Sequence, residues 1–486
     1  MSGGGWMGAL ADHVGRMREA YPDDELVLVF DIDGTIVDTR HLVVDVLLSY
    51  DRHHGTDHFH GIAADDVVHH ETEVDGILGG FHLPAAVERD VRTWYLDHVR
   101  DPHAVAAAHR PYQGVLSVIR WFQLQPRTRV ALNTGRPESM RELTLAALNA
   151  LGRLHRVAFR SELLFMAPSP GEDGVADAKV DGLRRLAADG YRVVAVVDNE
   201  PAMIAAMAGS EGTGEILFLH ADTIFASRRE PTPRTVSGST YGLAEVVDES
   251  ELGRRVTFVW HGVNDRDNLD QFLASEVRWA ELDVRRDPLG RVVLRHDSFV
   301  VSPWSPGEEL LLLDAALQIL RRAGRAVKLD LKEGVDLFDG MLELVRVAGF
   351  ADEALWFNGS IETIGRTGFR RLRAAYPDAV VQCPIDFLVP LLIAAPALAD
   401  DVLAMLAGWG VDRVSLDWET PGGREVIDVV EALGWEVNLY GVPHLEAFLE
   451  AALMLPTSLT ADFNFPEWNY FGRGPSRAPA AARSRG

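Results

Sequence analysis

Residues 27–39 read VLVFDIDGTIVDT, and the fold of the first half of the chain turns on them. An apolar run from Leu26 to Phe30 stops abruptly at two carboxylates, Asp31 and Asp33, followed by Gly34 and Thr35. A buried parallel strand has this look when it delivers charge to the rim of its sheet. Side chains two apart on a strand share a face, so Asp31 and Asp33 can address one site. Gly34 permits the sharp exit that a side chain would hinder. Two neighbouring acids repel each other and serve no structural need; a metal ion or phosphate chemistry would use them.

The chain has 486 residues, 47% of them hydrophobic, enough for two or three domains with real cores. Its 47 Lys plus Arg stand against 72 Asp plus Glu, a formal net charge of -25. Such a chain repels nucleic acid and anionic membrane surfaces, so a bound phosphate needs a metal or a local basic pocket. A single cysteine, Cys383, excludes internal disulfides and suits a reducing cytoplasm. No signal peptide is visible in Met1–Ala20, and the apolar run 387–399 is broken by Pro390 and Pro396 and too short to span a bilayer. The expected partner is a small phosphorylated substrate, with no nucleic acid and no stable membrane insertion; the oligomeric state is left open.

After the first strand, residues 40–110 turn to helical periodicity, as in HLVVDVLLSYDRHH and AAVERDVRTWYLDHV. The stretch reads as a helical insertion. Its many histidines (His53, His54, His58, His60, His69 and His70 among them) could bind transition metals, but no ligand spacing is clean and a solvated helical face is the plainer reading. The sheet pattern resumes at Arg129–Asn133, which ends in Thr134-Gly135-Arg136-Pro137 before a helix. A hydroxyl and backbone N–H groups at such a junction can hold a phosphoryl oxygen. Lys179 opens another helical stretch, and Arg192–Val197 is a strand ending in Asp198-Asn199-Glu200-Pro201. Alternating strands and helices indicate a parallel sheet with ligands at its carboxyl ends.

DxDGT at Asp31–Thr35, Thr134, Lys179 and Asp198, in that order, resemble the four motifs of the haloacid-dehalogenase-like hydrolases, over roughly residues 25–220. The insertion matches that family's cap. The resemblance implies that Asp31 is a nucleophile forming an aspartyl-phosphate and that Asp33 is the general acid–base. It implies Mg²⁺ held by Asp31, Asp198 and the backbone carbonyl of Asp33, with Thr134, Gly135, Arg136 and Lys179 at the phosphoryl group. The fourth motif departs from many members by reading DNE, with Glu200 in place of a nearby second Asp.

Residues 227–242, SRREPTPRTVSGSTYG, have linker composition. Beyond them come eight strand candidates: residues 256–260, 278–284, 291–295, 326–331, 354–358, 379–382, 413–416 and 436–440. Helical runs separate most of them, and that count fits a β/α barrel, whose chemistry sits at the carboxyl ends of the strands. Those ends carry His261, Glu281 with Asp283, His296 with Asp297, Asp330 with Lys332, and Asn358, and then Asp417 and Tyr440. Three carboxylates from two strands suit a hard cation, Mg²⁺ or Ca²⁺, and two histidines from other strands could flank it as acid and base.

The run WHGVND…ELDV…LRHD…VKLDLKEG resembles the phospholipase-C-like phosphodiesterase superfamily, whose glycerophosphodiester phosphodiesterases show His, ExD, HD and an acid with Lys. HxVN at His261–Asn264 and DxK at Asp330–Lys332 are shared with menorin-like proteins and sphingomyelinase-D-like lipases. The resemblance implies His261 and His296 as the acid–base pair. Glu281, Asp283 and Asp330 become metal ligands, with Lys332 and Asn264 at phosphate. Gly262 stands where glycerophosphodiesterases usually have Arg.

The expected fold class is α/β: a Rossmann-like parallel-sheet domain at 21–225, with a helical cap at about 40–112, and a (β/α)8 TIM-type barrel at 248–458. A linker at 226–247 and a disordered tail at 471–486 complete the scheme. The expected function is a bifunctional, cytoplasmic, metal-dependent phosphoesterase. Its barrel cleaves a glycerophosphodiester-like or lysophospholipid-like diester, and its first domain dephosphorylates a monoester. Two alternatives stand beside it: a phosphatase fused to a non-catalytic binding barrel, and a barrel that forms a cyclic phosphate or a new diester as lyase or transferase.

Overall fold

The computed structural model describes residues 5–169, 174–223, 235–247, 249–305 and 307–462. The chain divides into two compact units, Met1–Val247 and Asp248–Gly486.

The first unit is built on a six-stranded parallel sheet. Its strands are β1 (Glu25–Phe30), β2 (Thr128–Pro137), β3 (Leu164–Ala167), β4 (Tyr191–Asp198), β5 (Leu217–Ala221) and β6 (Val236–Gly238), in the order β3-β2-β1-β4-β5-β6. Residues 27–30 of β1 are wholly buried because β2 and β4 flank the strand and helices cover both faces. The order reverses at β1, which opens the crevice where its carboxyl end lies. Gly34 turns the chain out at φ +74, and a Cβ there would stand 2.3 Å from Asn199 Nδ2, so only glycine fits. The insertion forms four α-helices, Arg40–His54, Val74–Gly79, Ala85–His98 and Pro102–Ala107, around an apolar core of its own that includes Leu47, Phe59, Leu78, Val91 and Tyr95. Several of its histidines are aromatic packing: His98 stacks on Trp94 at 4.0 Å, and His53 and His54 lie against the same ring.

Two boundaries differ from the sequence reading. The helix Trp6–Ala20 buries Trp6, Met7, Leu10, Val14 and Met17, so the unit starts before residue 21. The expected linker is, in its described part, structure rather than spacer. β6 pairs with β5, Tyr241 and Leu243 are buried, and Tyr241 Oη donates to Thr35 O at 2.8 Å. Residues 224–234 and the expected tail 471–486 lie outside the described residues.

The second unit is a closed barrel of eight parallel strands: β7 (Thr257–Trp260), β8 (Trp279–Arg286), β10 (Ala326–Leu331), β11 (Leu355–Asn358), β12 (Val380–Pro384), β13 (Arg413–Asp417), β14 (Glu436–Tyr440) and β15 (Ser458–Ala461). β8 pairs directly with β10, and β15 pairs with β7 to close the ring. The stretch at 291–295 is not a wall strand. β9 (Val292–Leu294) runs antiparallel to the end of β8 as a hairpin arm outside the ring. The missing wall strand is β15, so the barrel continues past the expected limit at 458. Its four residues, SLTA, were too few and too polar to register as a buried strand, although all four are buried. Among the described residues, no helix is long and apolar enough to cross a membrane.

Candidate active sites

In the first unit, Asp31 stands at the end of β1 and Asp198 at the end of its neighbour β4. Lys179, the fifth residue of the helix Val175–Ala188, reaches between them. Its Nζ is 2.9 Å from Asp31 Oδ1 and 2.6 Å from Asp198 Oδ2, and all three side chains are buried. Asn133 Nδ2 donates to the Lys179 carbonyl and ties the start of that helix to β2. Burial pushes the Asp31 carboxyl up to about 7; Lys179 opposes the shift, and the neighbouring Asp198 and Asp33 add to it. Burial works against the ammonium too, but the two carboxylates outweigh it and raise the Lys179 pKa. The motif residues Asp31, Lys179 and Asp198 thus meet in one cluster.

Asp33 is engaged by Arg136, which was read as a substrate contact. Arg136 Nε donates to Asp33 Oδ2 at 2.7 Å and Nη2 to Oδ1 at 2.6 Å, a two-pronged pair with the guanidinium buried. Burial opposes the charge on Asp33, but Arg136 more than offsets this and holds its pKa below the usual carboxylate range. Arg136 is therefore a clamp on the acid–base candidate, because a buried guanidinium is stabilised only by a charged partner. Thr134 Oγ1 accepts from Arg136 N at 3.2 Å. Gly135 lets β2 approach the Lys179 helix: a Cβ there would lie 3.1 Å from Val175 Cγ1.

Three groups here escaped the sequence reading. His109 Nε2 lies 2.8 Å from Arg136 Nη2, and burial, with the guanidinium adding to it, pushes its pKa down to about 4. The imidazole is neutral and accepts the hydrogen bond. His70 and Glu71 come from the insertion, where HHE lay inside a His-rich tract with no spacing to mark it. His70 Nε2 is 3.1 Å from Glu200 Oε1 and 3.4 Å from Glu71 Oε2. Glu200 N in turn donates to Asp198 Oδ1 at 2.9 Å. The Asn199 side chain and Thr35 Oγ1 are buried without hydrogen-bond partners.

In the second unit, β8 and β10 lie in register, with Glu281 opposite Lys328 and Asp283 opposite Asp330. Two lysines pair with these three acids. Lys328 Nζ is 3.1 Å from Glu281 Oε1, and Lys332 Nζ is 3.0 Å from Asp283 Oδ1 and 2.6 Å from Asp330 Oδ2. Two buried oxygens, Glu281 Oε2 and Asp283 Oδ1, make no hydrogen bond; the second lies within ion-pair distance of Lys332 but without hydrogen-bonding geometry. Asn264, read as a phosphate contact, is spent on Asp283 instead: Nδ2 donates to Oδ2 at 2.5 Å, and Oδ1 accepts from Asp283 N at 2.9 Å. An amide pinned on both sides orients the carboxylate and has little left for a ligand. Burial raises the Asp330 pKa, and Glu281 reinforces the shift. Asp283 is held low because Lys332 and Asn264 together exceed the effect of burial.

His261 follows β7. Its Nδ1 is 2.6 Å from Asp462 Oδ1, just past β15, and its Nε2 is 3.9 Å from Glu281 Oε2. The hydrogen bond to Asp462 raises its pKa to about 9; partial burial opposes this, and Glu281 adds to the rise. Asp462 could not be found from the sequence because the strand that carries it was not recognised. His296 is exposed, bonded to Asp297 at 2.9 Å through Nδ1. His261, Glu281, His296, Asp330, Lys332 and Tyr440 line a single cavity of about 500 Å³. Asn358 and Gln382 extend the network, with Gln382 Nε2 donating to Asn358 Oδ1 and Asn358 Nδ2 to Asp330 Oδ1, each at 2.8 Å.

Among the described residues, no group of three or more His, Cys, Asp or Glu side chains stands in metal-holding geometry. The donor chemistry still suits a hard divalent cation. Each unit gathers carboxylates at strand ends, and the barrel leaves two carboxylate oxygens buried without hydrogen bonds.

No protein-family model matches the chain, and no curated protein matches it. Solved structures do. A glycerophosphodiester phosphodiesterase from Agrobacterium tumefaciens is 18% identical, with a TM-score of 0.31, covering 43% of this chain and 96% of its own. A protein described as a glycerophosphodiester phosphodiesterase from Galdieria sulphuraria is 13% identical, at TM-score 0.33, with 43% and 94% covered. A protein described as a haloacid-dehalogenase-like hydrolase from Burkholderia xenovorans is 16% identical, at TM-score 0.29, with 46% and 99% covered.

Proposed function

We propose that the chain is a two-centre phosphoesterase, with a barrel that cleaves a phosphodiester and a first unit that hydrolyses a phosphomonoester through Asp31. The observation that carries the barrel assignment is the convergence of Glu281, Asp330, Lys332 and two histidines on one cavity, with buried Asp283 paired to Lys332 behind them. His261 and His296 serve as the acid–base pair, and Lys332 serves the phosphate. In the first unit, Asp31 attacks phosphorus and the bond to the leaving alcohol breaks, giving an aspartyl-phosphate. Asp33 supplies the leaving oxygen with a proton once its pair with Arg136 opens. It then takes a proton from the water that hydrolyses the aspartyl-phosphate and releases inorganic phosphate. Lys179 offsets charge on the phosphoryl oxygens, and Thr134 lies at the same strand end. Mg²⁺ is the cation proposed at both centres, held by Asp31, Asp198 and the Asp33 carbonyl in one and by Glu281, Asp283 and Asp330 in the other, with Ca²⁺ as the barrel's alternative. A divalent ion bound there would neutralise phosphate charge that a chain of net charge -25 otherwise repels. The proposed place of work is the cytoplasm, in keeping with one buried cysteine and no second one to pair with it.

The test is a panel of monoesters and diesters with Mg²⁺. Asp31→Asn should abolish phosphate release while diester cleavage continues, and His261→Ala should do the reverse. One substitution silencing both reactions in folded protein would overturn the two-centre reading. A cyclic product, visible by phosphorus NMR, would make the barrel a lyase.

One observation favours a second reading. Lys328 and Lys332 already pair with the barrel's three acids, as they would in a binding module that holds no ion. Calorimetric titration with Mg²⁺ separates the two, since the module predicts no binding that Glu281→Gln removes.

A further inference from the structure

We infer that Gln382 of β12, acting through Asn358 of β11, is a positioning residue for Asp330 and sets which of its oxygens is left for a divalent cation. The inference rests on the proposed cation site at Glu281, Asp283 and Asp330, and concerns how this chain builds that site.

Parallel pairing places four polar side chains in one row across the barrel wall. Asp283 of β8 lies opposite Asp330 of β10, Asp330 opposite Asn358, and Asn358 opposite Gln382. The hydrogen bonds along this row run in one direction. An ionised carboxylate only accepts, so Asn358 turns its amide nitrogen to Asp330, and its Oδ1 then needs a donor from the next strand. Gln382 supplies one: its Nε2 donates to Asn358 Oδ1, and Asn358 Nδ2 donates to Asp330 Oδ1, each at 2.8 Å. The row ends at Gln382, which is buried and whose Oε1 has no hydrogen-bond partner. A reversed Gln382 amide would set two carbonyl oxygens against each other and release Asn358 from its orientation.

A matching amide holds the other acid. Asn264, just after β7, donates through Nδ2 to Asp283 Oδ2. With that oxygen and Asp330 Oδ1 engaged, the oxygens left are Asp283 Oδ1 and Asp330 Oδ2. Both lie close to a single point, the Nζ of Lys332, at 3.0 and 2.6 Å. The two amides, one from each side of the β8–β10 pair, thus aim one oxygen of each acid at the same place. Converging carboxylate oxygens stabilise positive charge, and outer partners that orient such ligands typically carry about 10- to 100-fold of metal affinity.

The experiment is calorimetric titration of the full chain with Mg²⁺, a readout independent of turnover. Wild type should bind, and Glu281→Gln should weaken binding. Gln382→Met, which keeps the volume and removes the donor, should weaken it by about tenfold or more. Asn358→Leu should weaken it at least as much. Because Gln382 acts only through Asn358, the double variant should bind within about threefold of Asn358→Leu alone. Gln382→Asn, whose shorter amide falls short of Asn358, takes the place of the methionine variant should that chain not fold. Wild-type affinity in folded Gln382→Met or Gln382→Asn overturns the inference, as does a double variant in which the two losses multiply. No Mg²⁺ or Ca²⁺ binding by wild type, or binding that Glu281→Gln leaves intact, sinks the cation site itself and the inference with it.

Discussion

The pair of Arg136 with Asp33 shows how one side chain sets the state of another. The guanidinium is almost wholly buried, and both its hydrogen bonds to Asp33 are short. Arg136→Ala would leave that carboxylate without its partner and should cost about 3 kcal/mol in chemical denaturation at neutral pH. The sign with pH follows from the depressed pKa of Asp33. The pair's contribution is present above the unfolded carboxylate value, near pH 4, and is lost as the pH falls through the lower folded value. The gap between wild type and Arg136→Ala should therefore shrink in acid, and a constant gap would show that the loss is packing alone. His261 has the opposite sign. Its raised pKa means that its contribution is whole below about pH 6.5 and disappears as the pH rises through about 9. Asp462→Asn removes the carboxylate that contributes most to this shift. In metal-free protein the imidazole titration followed by NMR should then move from about 9 back towards the ordinary histidine value, and the limb of the diesterase pH profile set by His261 should move down with it. An unmoved midpoint would detach Asp462 from the site.

At the scale of elements, the sequence was readable where burial wrote a long apolar run. β1, β4, β8 and β10 are such strands. Asp31 follows β1 directly, Asp198 closes β4 and Asp330 stands one residue from the end of β10, whereas Glu281 and Asp283 lie inside β8, which runs on to Arg286. The barrel's ExD and DxK were legible for the same reason, since alternation puts both members of a pair on one face. Short strands were not legible. SLTA in β15 has one large apolar residue, and VSG in β6 has one as well, so pairing with neighbours decides their conformation, not pattern. Arg291–Arg295 failed in the other direction: its apolar centre is real, but it packs as an antiparallel arm beside the barrel wall. Arg136 and Asn264 were read as substrate contacts and are bonded to Asp33 and Asp283, because the sequence does not show which carboxylate a cation or an amide will meet. β6 and the turn after it can be tested as structure. Tyr241 is buried and donates to Thr35 O, directly after the Asp31–Gly34 turn. Tyr241→Phe should lower the stability of the first unit by about 1–2 kcal/mol, the cost of an unpaired buried carbonyl. No change in the denaturation midpoint would return the segment to the status of a spacer.

For the whole molecule, net charge makes a prediction that local geometry does not. A formal charge of -25 repels phosphate esters at a distance, whatever cations wait at the two centres. Long-range repulsion is screened as the Debye length shrinks from about 30 Å at 0.01 M salt to about 8 Å at 0.15 M. Encounter with an anionic substrate should therefore speed up with added salt, so that kcat/KM for a dianionic monoester rises by a few-fold over that range and then levels. Turnover at saturating substrate should hardly move, because Lys179 is buried and paired and so is poorly screened. A zwitterionic diester supplies the control, since it lacks the net charge that is repelled. A fall in kcat/KM with salt is the contrary outcome. It would mean that attraction by the local cations, Lys332 in the barrel cavity above all, outweighs the field of the whole chain.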